Sequence, residues 1–286
     1  MIISNEKCRA ELNEHGEMIS FKIGEEEYIW SGEARFWNGH APTLFPYCGR
    51  IKNERALYDG REFSGQTIHG FARKQTHTLI KSGRSNARFE LCENAQTLER
   101  YPYPFKLETE YVLMKNGYGV RFTVTNTGTE SMPFSIGSHP AYMIPGEIGD
   151  CDLFVEGTEN ALYYANDEDG LFRGDLVMGQ VRAEGLPLSY SLFRRRGMIF
   201  PSLDEHKRFT VKNRVTGRGF SVSFDDFPVC VMWMSHEDCP FICVEPWHGL
   251  PDESHTDGCF EKKFFVITLG AGESRSLSYY FEAING

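Results

Sequence analysis

The sequence predicts an all-β protein, a large antiparallel β-sandwich of two facing sheets with few short helices. Three observations support this fold class. Apolar and polar residues alternate with a period of two in several segments, turn signals separate these segments, and helical periodicity is weak throughout. Aromatic residues form 14% of the chain, which suits half-buried pleated surfaces. No linker or composition break divides residues 1–286, which predicts a single domain.

Turn signals divide the first part of the chain into strands. Alternation over residues 18–23 stops at Gly24 and apolar residues resume at 28–30, so we expect a hairpin there. Asp59 and Gly60 mark the next turn.

The clearest hairpin covers residues 111–124. Asn116 and Gly117 stand at its centre and predict a type I′ turn, because both central positions of that turn need positive φ. The same alternation returns over residues 220–224 and 277–281, which predicts two late strands with one apolar face each.

Three stretches lack regular alternation. Residues 132–146 carry no charge and contain three prolines, so we expect a stiff loop or a strand edge. Residues 156–185 are polar and irregular, which predicts a long excursion on the rim of a sheet. A short helical turn is expected near residues 202–207.

The net charge and the cysteine pattern indicate which binding partners and which cellular compartment to expect. The net charge of −10 disfavours nucleic acid and anionic membranes as general partners. The eight cysteines are spread without a C-x-x-C pair, which predicts reduced and mostly buried thiols in a cytoplasmic protein. No His-Cys cluster with zinc-site spacing is visible, and no consistently apolar run is long enough to span a bilayer.

Glu245 is the first candidate for a functional residue. It follows the apolar run 241–244, and Pro246 should end that strand because proline has no N–H for the ladder. We therefore expect Glu245 at a sheet end beside a cleft, with Trp247 as an apolar wall. Burial in such a cleft can raise the pKa of a carboxyl group, which makes it a general base or acid near neutral pH. The alternative is a solvated residue on the sheet rim.

Two further motifs each contain a glycine and an arginine. In residues 44–50 a cis or kinked Pro46 and a glycine precede Arg50, which would aim its guanidinium at hydroxyl groups or a carboxylate. His69 and Arg73 flank a glycine that permits close backbone approach. The alternatives are a surface ion pair for Arg50 and a hydrogen-bonded structural role for His69.

The uncharged stretch 132–146 contains His139, which should be sheltered and oriented there. Histidine is a natural proton donor near neutral pH, although a satisfied core histidine is the alternative. One carboxylate as base, one or two histidines as acids and arginines for orientation suit proton transfer on a neutral, hydroxyl-rich substrate, with no metal or cofactor required. The nucleotide-binding glycine motifs and the serine-hydrolase elbow are absent from the sequence.

These motifs together resemble the aldose 1-epimerase (galactose mutarotase) family, and more closely its branch of small bacterial mutarotase-like proteins. The resemblance covers nearly the whole chain because the motifs keep their order and approximate spacing. They are Trp37 with Leu44-Phe45-Pro46 and Gly49-Arg50, then His69-Gly70-Phe71-Ala72-Arg73, then Ser138-His139-Pro140, and finally Glu245-Pro246-Trp247.

The resemblance implies a β-sandwich of the supersandwich type, with a sugar bound in an open cleft on one sheet. It implies that Glu245 is the general base and His139 the general acid of ring opening. His69 would bind the sugar near its ring oxygen, and Arg50 would orient it. Arg73 resembles an arginine of the related hexose-6-phosphate epimerases.

One departure from the family pattern concerns specificity. The family often places an aspartate that holds sugar hydroxyls before Phe200, but residues 192–200 contain no acid and Asp204 is the nearest. Three arginines, Arg194 to Arg196, stand there instead. They are interpreted either as a solvated charge run or as contacts to a phosphate or carboxylate of the substrate.

The resulting hypothesis is an isomerase that interconverts the α and β anomers of an aldohexose, or of a phosphorylated or acidic derivative. Trp247 or Trp37 could stack on the apolar face of the sugar. The alternatives are a hexose-6-phosphate 1-epimerase and a non-catalytic carbohydrate-binding protein. We expect a monomer or a homodimer.

Overall fold

Two large antiparallel sheets, one of nine strands and one of eight, form the sandwich. This computed structural model describes residues 1–156, 160–194, 197–201, 203 and 207–286. The residues Arg195, Arg196 and Asp204, and most of the turn expected at 202–207, lie outside the described residues, so the interpretations given for them stay predictions. None of the helices in the described part has the length and apolarity that a bilayer crossing requires.

The strands of the first half of the chain, in order, are β1 (Ile2–Ser4), β2 (Cys8–Leu12), β3 (Met18–Ile23), β4 (Glu26–Glu27), β5 (Thr43–Leu44), β6 (Arg55–Tyr58), β7 (Arg61–Ser64), β8 (Thr78–Ser82), β9 (Asn86–Cys92), β10 (Phe105–Leu113), β11 (Gly117–Asn126), β12 (Met132–Phe134), β13 (Ile136–Ser138) and β14 (Ala141–Met143). The strands that follow are β15 (Cys151–Glu156), β16 (Asn160–Asn166), β17 (Phe172–Arg182), β18 (Leu186–Pro187), β19 (Met198–Phe200), β20 (Arg208–Asn213), β21 (Gly219–Ser223), β22 (Val229–Trp233), β23 (Phe241–His248), β24 (Ile267–Leu269) and β25 (Ser274–Ile284).

Within the described residues, helical structure is confined to short turns, as the weak periodicity predicted. The α-helix α1 covers Ala95–Leu98. Its N-cap Asn94 accepts a hydrogen bond from Thr97 N–H, and the Thr97 hydroxyl oxygen accepts one from Asn94 N–H, which forms a reciprocal capping box. Short 3₁₀ turns cover Lys52–Glu54, Ala72–Lys74, Ile148–Asp150, Tyr190–Phe193 and Phe260–Lys262.

The nine-stranded sheet has the order β18-β15-β20-β21-β25-β11-β10-β9-β8, and the eight-stranded sheet has the order β17-β16-β19-β22-β23-β13-β5 with β14 also paired to β23. Aromatic side chains fill the space between the sheets. Phe200 of β19 meets Phe209 of β20 edge-on at 4.9 Å between ring centroids, and Tyr142 of β14 stacks on Phe281 of β25 at 4.9 Å. These contacts confirm the predicted sandwich.

Most of the predicted hairpins are confirmed, but one turn type is wrong. Asp59 and Gly60 connect β6 to β7 with positive φ at both positions. β10 and β11 also pair as expected, yet neither Asn116 nor Gly117 is among the described residues with positive φ. Gly117 belongs to β11, where an added Cβ would lie 1.9 Å from Phe281 O. The glycine therefore permits a close strand contact and does not build a type I′ turn.

The first expected hairpin is only partly formed. β3 and β4 pair around Gly24, which has a φ of 60°. Of the apolar residues that resume at 28–30, Tyr28 still donates its N–H to Phe21 O of β3 at 2.9 Å. Ile29 instead forms an isolated bridge with Tyr142, and Trp30 N–H donates to Ala141 O at 2.9 Å, so the segment leaves β3 and runs beside β14 of the eight-stranded sheet.

The described part of the segment 156–185, which leaves out residues 157–159, contains two strands. β16 and β17 form an antiparallel pair, with register shifts, at the edge of the eight-stranded sheet. The expected rim position is confirmed, and the described residues form strands there although their sequence pattern is irregular. An edge strand can be exposed over much of its length, as Leu176 and Val177 are, so its sequence does not show a clean apolar alternation.

The expectation that Pro246 ends its strand is also wrong, since β23 continues to His248. On one side β23 pairs continuously with β22, and Cys230 is the partner of Pro246. On the other side β13 and β14 leave a break in the pairing opposite Glu245 and Pro246. A residue without an N–H interrupts no ladder bond at such a break. Glu245 therefore lies within a sheet, at a local gap between two short strands.

Candidate active site

A cavity of about 370 Å³ lies on the outer face of the eight-stranded sheet, at the break between β13 and β14. All seven side chains predicted from the sequence line it, namely Glu245, His139, His69, Arg50, Arg73, Trp247 and Trp37. They come from four separate motifs, so the fold brings together residues up to about two hundred positions apart in the chain.

Glu245 is buried, with 1% of its surface exposed. It shares one face of β23 with Cys243 and Trp247, because side chains two apart in a strand point the same way. Neither carboxylate oxygen has a hydrogen-bond partner among the described residues. Desolvation by burial raises the pKa of Glu245 well above its ordinary value. The group is therefore suited to hold a proton near neutral pH.

His139 lies in the break between β13 and β14. Its backbone N–H donates to Pro42 O at 3.0 Å. Its ring stacks on Trp37 at 4.7 Å between centroids and meets Trp233 edge-on at 5.4 Å. Its Nε2 lies 3.4 Å from Glu245 Oε2. Burial lowers the pKa of His139 to about 3.

His69 faces the same cavity from a backbone with a positive φ of 66°. Gly49 N–H donates to His69 Nδ1 at 3.0 Å, and His69 N–H donates to Gly49 O at 2.9 Å. A backbone N–H can only donate, so Nδ1 accepts and the proton of the neutral ring is on Nε2. Burial, followed by the positive field of neighbouring groups, lowers the pKa of His69 well below its ordinary value. His69 thus offers a neutral N–H donor.

Gly70 explains how His69 approaches the first motif so closely. A Cβ at Gly70 would lie 2.1 Å from Phe45 O, and Gly70 has a φ of 70°. Only glycine fits this contact without a backbone shift. The Phe45–Pro46 peptide bond is cis, as one of the two expected conformations.

The two arginines of the cavity have no carboxylate partner among the described residues. The Arg50 side chain is exposed and its guanidinium makes no hydrogen bond to any part of the described chain. Arg73 is half-buried; its Nη2 donates to Ile68 O at 3.1 Å, and its Nε has no partner. The positive charge on this side of the cavity is therefore not compensated by an ion pair within the described residues.

Unpaired polar atoms concentrate in the cavity. Eleven buried side-chain nitrogen or oxygen atoms lack a hydrogen-bond partner in the described part of the chain, and six of them belong to cavity-lining residues. These six are Arg73 Nε, His139 Nδ1, Asn166 Oδ1, Trp247 Nε1 and the two carboxylate oxygens of Glu245. Buried polar atoms are normally paired. Their clustering indicates a site that binds a polar ligand.

Of the nine lining residues outside the predicted set, Trp233 and Asn166 matter most for the chemistry of the cavity. Trp233 ends β22 and its ring contacts both His139 and Trp37; its place at the end of an apolar run resembles that of Glu245 and was a usable signal. Asn166 ends β16, and no local signal marks it. Arg194, in contrast, lies outside this cavity, where its Nη2 is 2.7 Å from Glu237 Oε1 in an exposed ion pair.

Three potential metal ligands also meet here, although the sequence predicts no metal site. One ligand atom each of His139, Cys243 and Glu245 lies within 4.8 Å of the others. This is one ligand short of a closed tetrahedral site. Burial, and then the charge of Glu245, raises the pKa of the Cys243 thiol well above its ordinary value, which disfavours the thiolate that a metal needs.

Comparison with known proteins points to one family. The family model described as Aldose 1-epimerase matches residues 1–258. Protein LacX of Lactococcus lactis subsp. lactis, in its plasmid form, is 31% identical over 290 residues, which cover 94% of this chain and 94% of the relative.

Solved structures agree with this match. A galactose mutarotase related enzyme from Lactobacillus acidophilus has a TM-score of 0.93 at 25% identity and covers 99% of this chain and 96% of its own. A galactose mutarotase-like protein from Lactobacillus casei has a TM-score of 0.91 at 29% identity and covers 99% of both chains.

Proposed function

This chain belongs to the aldose 1-epimerase family, and from that premise we propose that it interconverts the α and β anomers of an aldohexose by acid–base ring opening. The observation that carries the proposal is the contact between Glu245 and His139, whose Oε2 and Nε2 are 3.4 Å apart within a cluster of unpaired polar atoms. Anomer exchange needs such a pair, because the C1 hydroxyl and the ring oxygen are bonded to the same carbon.

In the forward direction Glu245 accepts the proton of the C1 hydroxyl, and His139 donates a proton to the ring oxygen. The C1–O5 bond breaks and leaves an open-chain aldehyde. Rotation about C1–C2 presents the other face of the carbonyl, and the reversed proton transfers close the ring. Each transfer contributes about 10²–10⁴-fold to the rate.

Burial favours this proton exchange. In the free site the neutral pair, protonated Glu245 with neutral His139, is favoured. Transfer of that proton from Glu245 to His139, whose Oε2 and Nε2 are 3.4 Å apart, gives the carboxylate and imidazolium that begin ring opening. Ring opening then returns the pair to a neutral acid with a neutral imidazole. Desolvation raises the pKa of Glu245 and lowers that of His139, and both shifts stabilise the neutral pair. The site therefore stabilises the protonation state that accompanies the open-chain sugar. The pair holds one transferable proton before and after ring opening, on His139 and on Glu245 respectively. Ring closure therefore returns the pair to the carboxylate and imidazolium.

The remaining side chains bind and orient the sugar. His69 donates its Nε2–H to an oxygen near the ring oxygen, and its neutral form is maintained by the hydrogen bond from Gly49. Arg50 donates to sugar oxygens at the open side of the cavity. Trp247 and Trp233 offer apolar ring surfaces to the C–H face of a pyranose. Trp37 is stacked on His139 and orients that ring.

A second candidate is a sugar that carries an anionic group. The unneutralised charges of Arg50 and Arg73 favour it, because guanidinium groups bind phosphate or carboxylate through several parallel hydrogen bonds. Under this version the acid–base pair works as before, and the arginines hold a substituent such as the phosphate of a hexose 6-phosphate.

Polarimetry on freshly dissolved α-glucose, α-galactose and glucose 6-phosphate tests both versions. We expect catalysed mutarotation that Glu245→Gln lowers at least 10³-fold, because the amide keeps the shape and cannot accept the proton. Glu237→Gln, outside the cavity, is the matched control. A wild-type rate no faster than the buffer rate, with sugar binding still measurable by tryptophan fluorescence, would indicate a carbohydrate-binding protein. Equal kcat/KM for glucose and its 6-phosphate would dismiss the anionic version.

A further inference from the structure

Asn166 brings a polar group into the cavity from outside every motif found in the sequence. It is the last residue of β16, and its side chain lines the cavity. Its Oδ1 is buried and has no hydrogen-bond partner in the described part of the chain. An amide oxygen in this state accepts a hydrogen bond readily, since leaving it unpaired costs free energy.

The register of the sheet places Asn166 across the cavity from the acid–base pair. Tyr164 pairs with Ile199, Ile199 with Val231, and Val231 with Glu245, which forms one row across four strands. Three strand spacings correspond to about 14 Å between the ends of this row. Asn166 follows Tyr164 by two residues and lies on the same face of β16. A six-membered sugar with a hydrogen bond at each end fits between Glu245 and Asn166.

The segment that carries Asn166 is firmly held. Asn166 pairs with Phe172 of β17, and Phe172 N–H donates to Asp252 O at 2.8 Å on the opposite rim. Within the connecting turn, Asp167 Oδ1 accepts from Leu171 N–H at 2.8 Å. These hydrogen bonds fix the position of the Asn166 amide. A residue that discriminates between similar ligands needs such a fixed position.

We propose that Asn166 determines sugar specificity by accepting, through Oδ1, a hydrogen bond from a hydroxyl group remote from C1. The proposal rests on the proposed function, which places C1 at Glu245 and His139. Asn166 offers a neutral acceptor on the strand directly beside β19 (Met198–Phe200). A buried acceptor selects an alcohol, which has a proton to give, over a deoxy position.

The test compares Asn166→Ala and Asn166→Asp with the wild type on aldohexoses and on analogues that lack the hydroxyl at C2, C3, C4 or C6. We expect Asn166→Ala to raise KM about tenfold, the effect of one hydrogen bond, with kcat unchanged because the contact is remote from the reacting atoms. Asn166→Asp keeps the acceptor and should restore most of the lost affinity. Leu162→Ala, exposed on the same strand, is the matched control.

One deoxy sugar should identify the partner of Asn166. The wild type should bind that analogue about tenfold more weakly than the parent sugar, and Asn166→Ala should bind both equally. Unchanged KM in Asn166→Ala, or an equal loss on every analogue, would overturn the inference while wild-type mutarotation still supported the proposed function. If the wild type binds sugars without turnover, the proposed function fails, and the same comparison by tryptophan fluorescence decides the role of Asn166.

Discussion

At the scale of single residues, His69 shows how one hydrogen bond decides the chemistry available to a side chain. Gly49 N–H occupies Nδ1, so the ring can donate from Nε2 but cannot carry a second proton without losing that bond. A charged acid role is therefore unfavourable for His69, although the same residue type serves as the proposed acid at His139.

We predict that His69→Asn lowers kcat/KM about 10²-fold, the usual effect of removing one preorganised donor, while the protein stays folded. Asparagine tolerates the positive φ at this position better than most residues. The measurement is steady-state polarimetry with a urea denaturation curve for each variant. His77→Asn is the control, because His77 is also buried but bonds to Ala72 O outside the cavity. An equal loss of activity in both variants would contradict the assignment.

The residues that line the cavity were easier to predict from the sequence than the strands that carry them. Each of the seven predicted side chains is a chemically distinctive type within a short motif that also contains glycine or proline. Asn166 lies in a polar segment and not in a motif of this kind. Its position in the cavity depends on how β16 joins the sheet. A single polar residue becomes informative only when the pairing of distant strands is known.

At the scale of elements, Asp252 connects three segments of the cavity rim. Its N–H donates to Arg50 O at 2.9 Å, its Oδ2 accepts from Lys52 N–H at 2.8 Å, and its O accepts from Phe172 N–H. Its Oδ1 forms a buried ion pair with Lys263. Burial lowers the pKa of Lys263, and Asp252 opposes that shift.

We predict that Asp252→Asn destabilises the fold by about 3–5 kcal/mol, because Lys263 is left as a buried charge without its partner. The double variant with Lys263→Met should recover much of that loss. The exposed ion pair of Lys262 and Asp257 nearby is the matched control, and Asp257→Asn should leave the denaturation midpoint nearly unchanged, because exposed ion pairs contribute little to stability. Urea denaturation measures all four proteins. Similar losses for the two aspartates would show that burial does not govern this pair.

Elements were less predictable than residues, and the errors share a cause. Pro246 and the polar residues of β16 and β17 were judged by local strand propensity. Local strand propensity contains no information on the break that β13 and β14 leave opposite Pro246. It also does not show that an edge strand can carry polar residues. In both cases the pairing partners decide, and those partners are distant in sequence.

At the scale of the whole molecule, the fold class followed from periodicity alone, because a large sandwich repeats the same alternation in many strands. What periodicity could not supply is the strand order, which joins β11 to β25 and β16 to β19. That order places the four motifs around one cavity, and it results from contacts summed over the entire core.

The buried ionisable groups couple this site to the stability of the entire fold. Below the ordinary histidine value of 6.5, an unfolded chain protonates His139, whereas burial holds its folded pKa at about 3. His69 shifts in the same direction. Stability from these groups is present above about pH 6.5 and is lost as the pH falls towards 3. Glu245 acts oppositely: its raised folded pKa means that stability is lost as the pH rises above its ordinary value of 4.5.

We predict that the free energy of unfolding falls steeply between pH 6 and pH 4, with each buried histidine contributing at most about 1.4 kcal/mol per pH unit. His139→Asn should flatten this acid limb, because the variant has no imidazole to protonate on unfolding, and Glu245→Gln should flatten the opposing limb above pH 5. Urea denaturation at half-unit pH intervals measures both slopes. His255→Asn changes an exposed histidine and should leave the profile as it is. If His139→Asn and His255→Asn gave the same acid slope, the imidazole of His139 would have to be accessible to protons in the folded protein, and its pairing with Glu245 as a sheltered proton-exchange couple would be wrong.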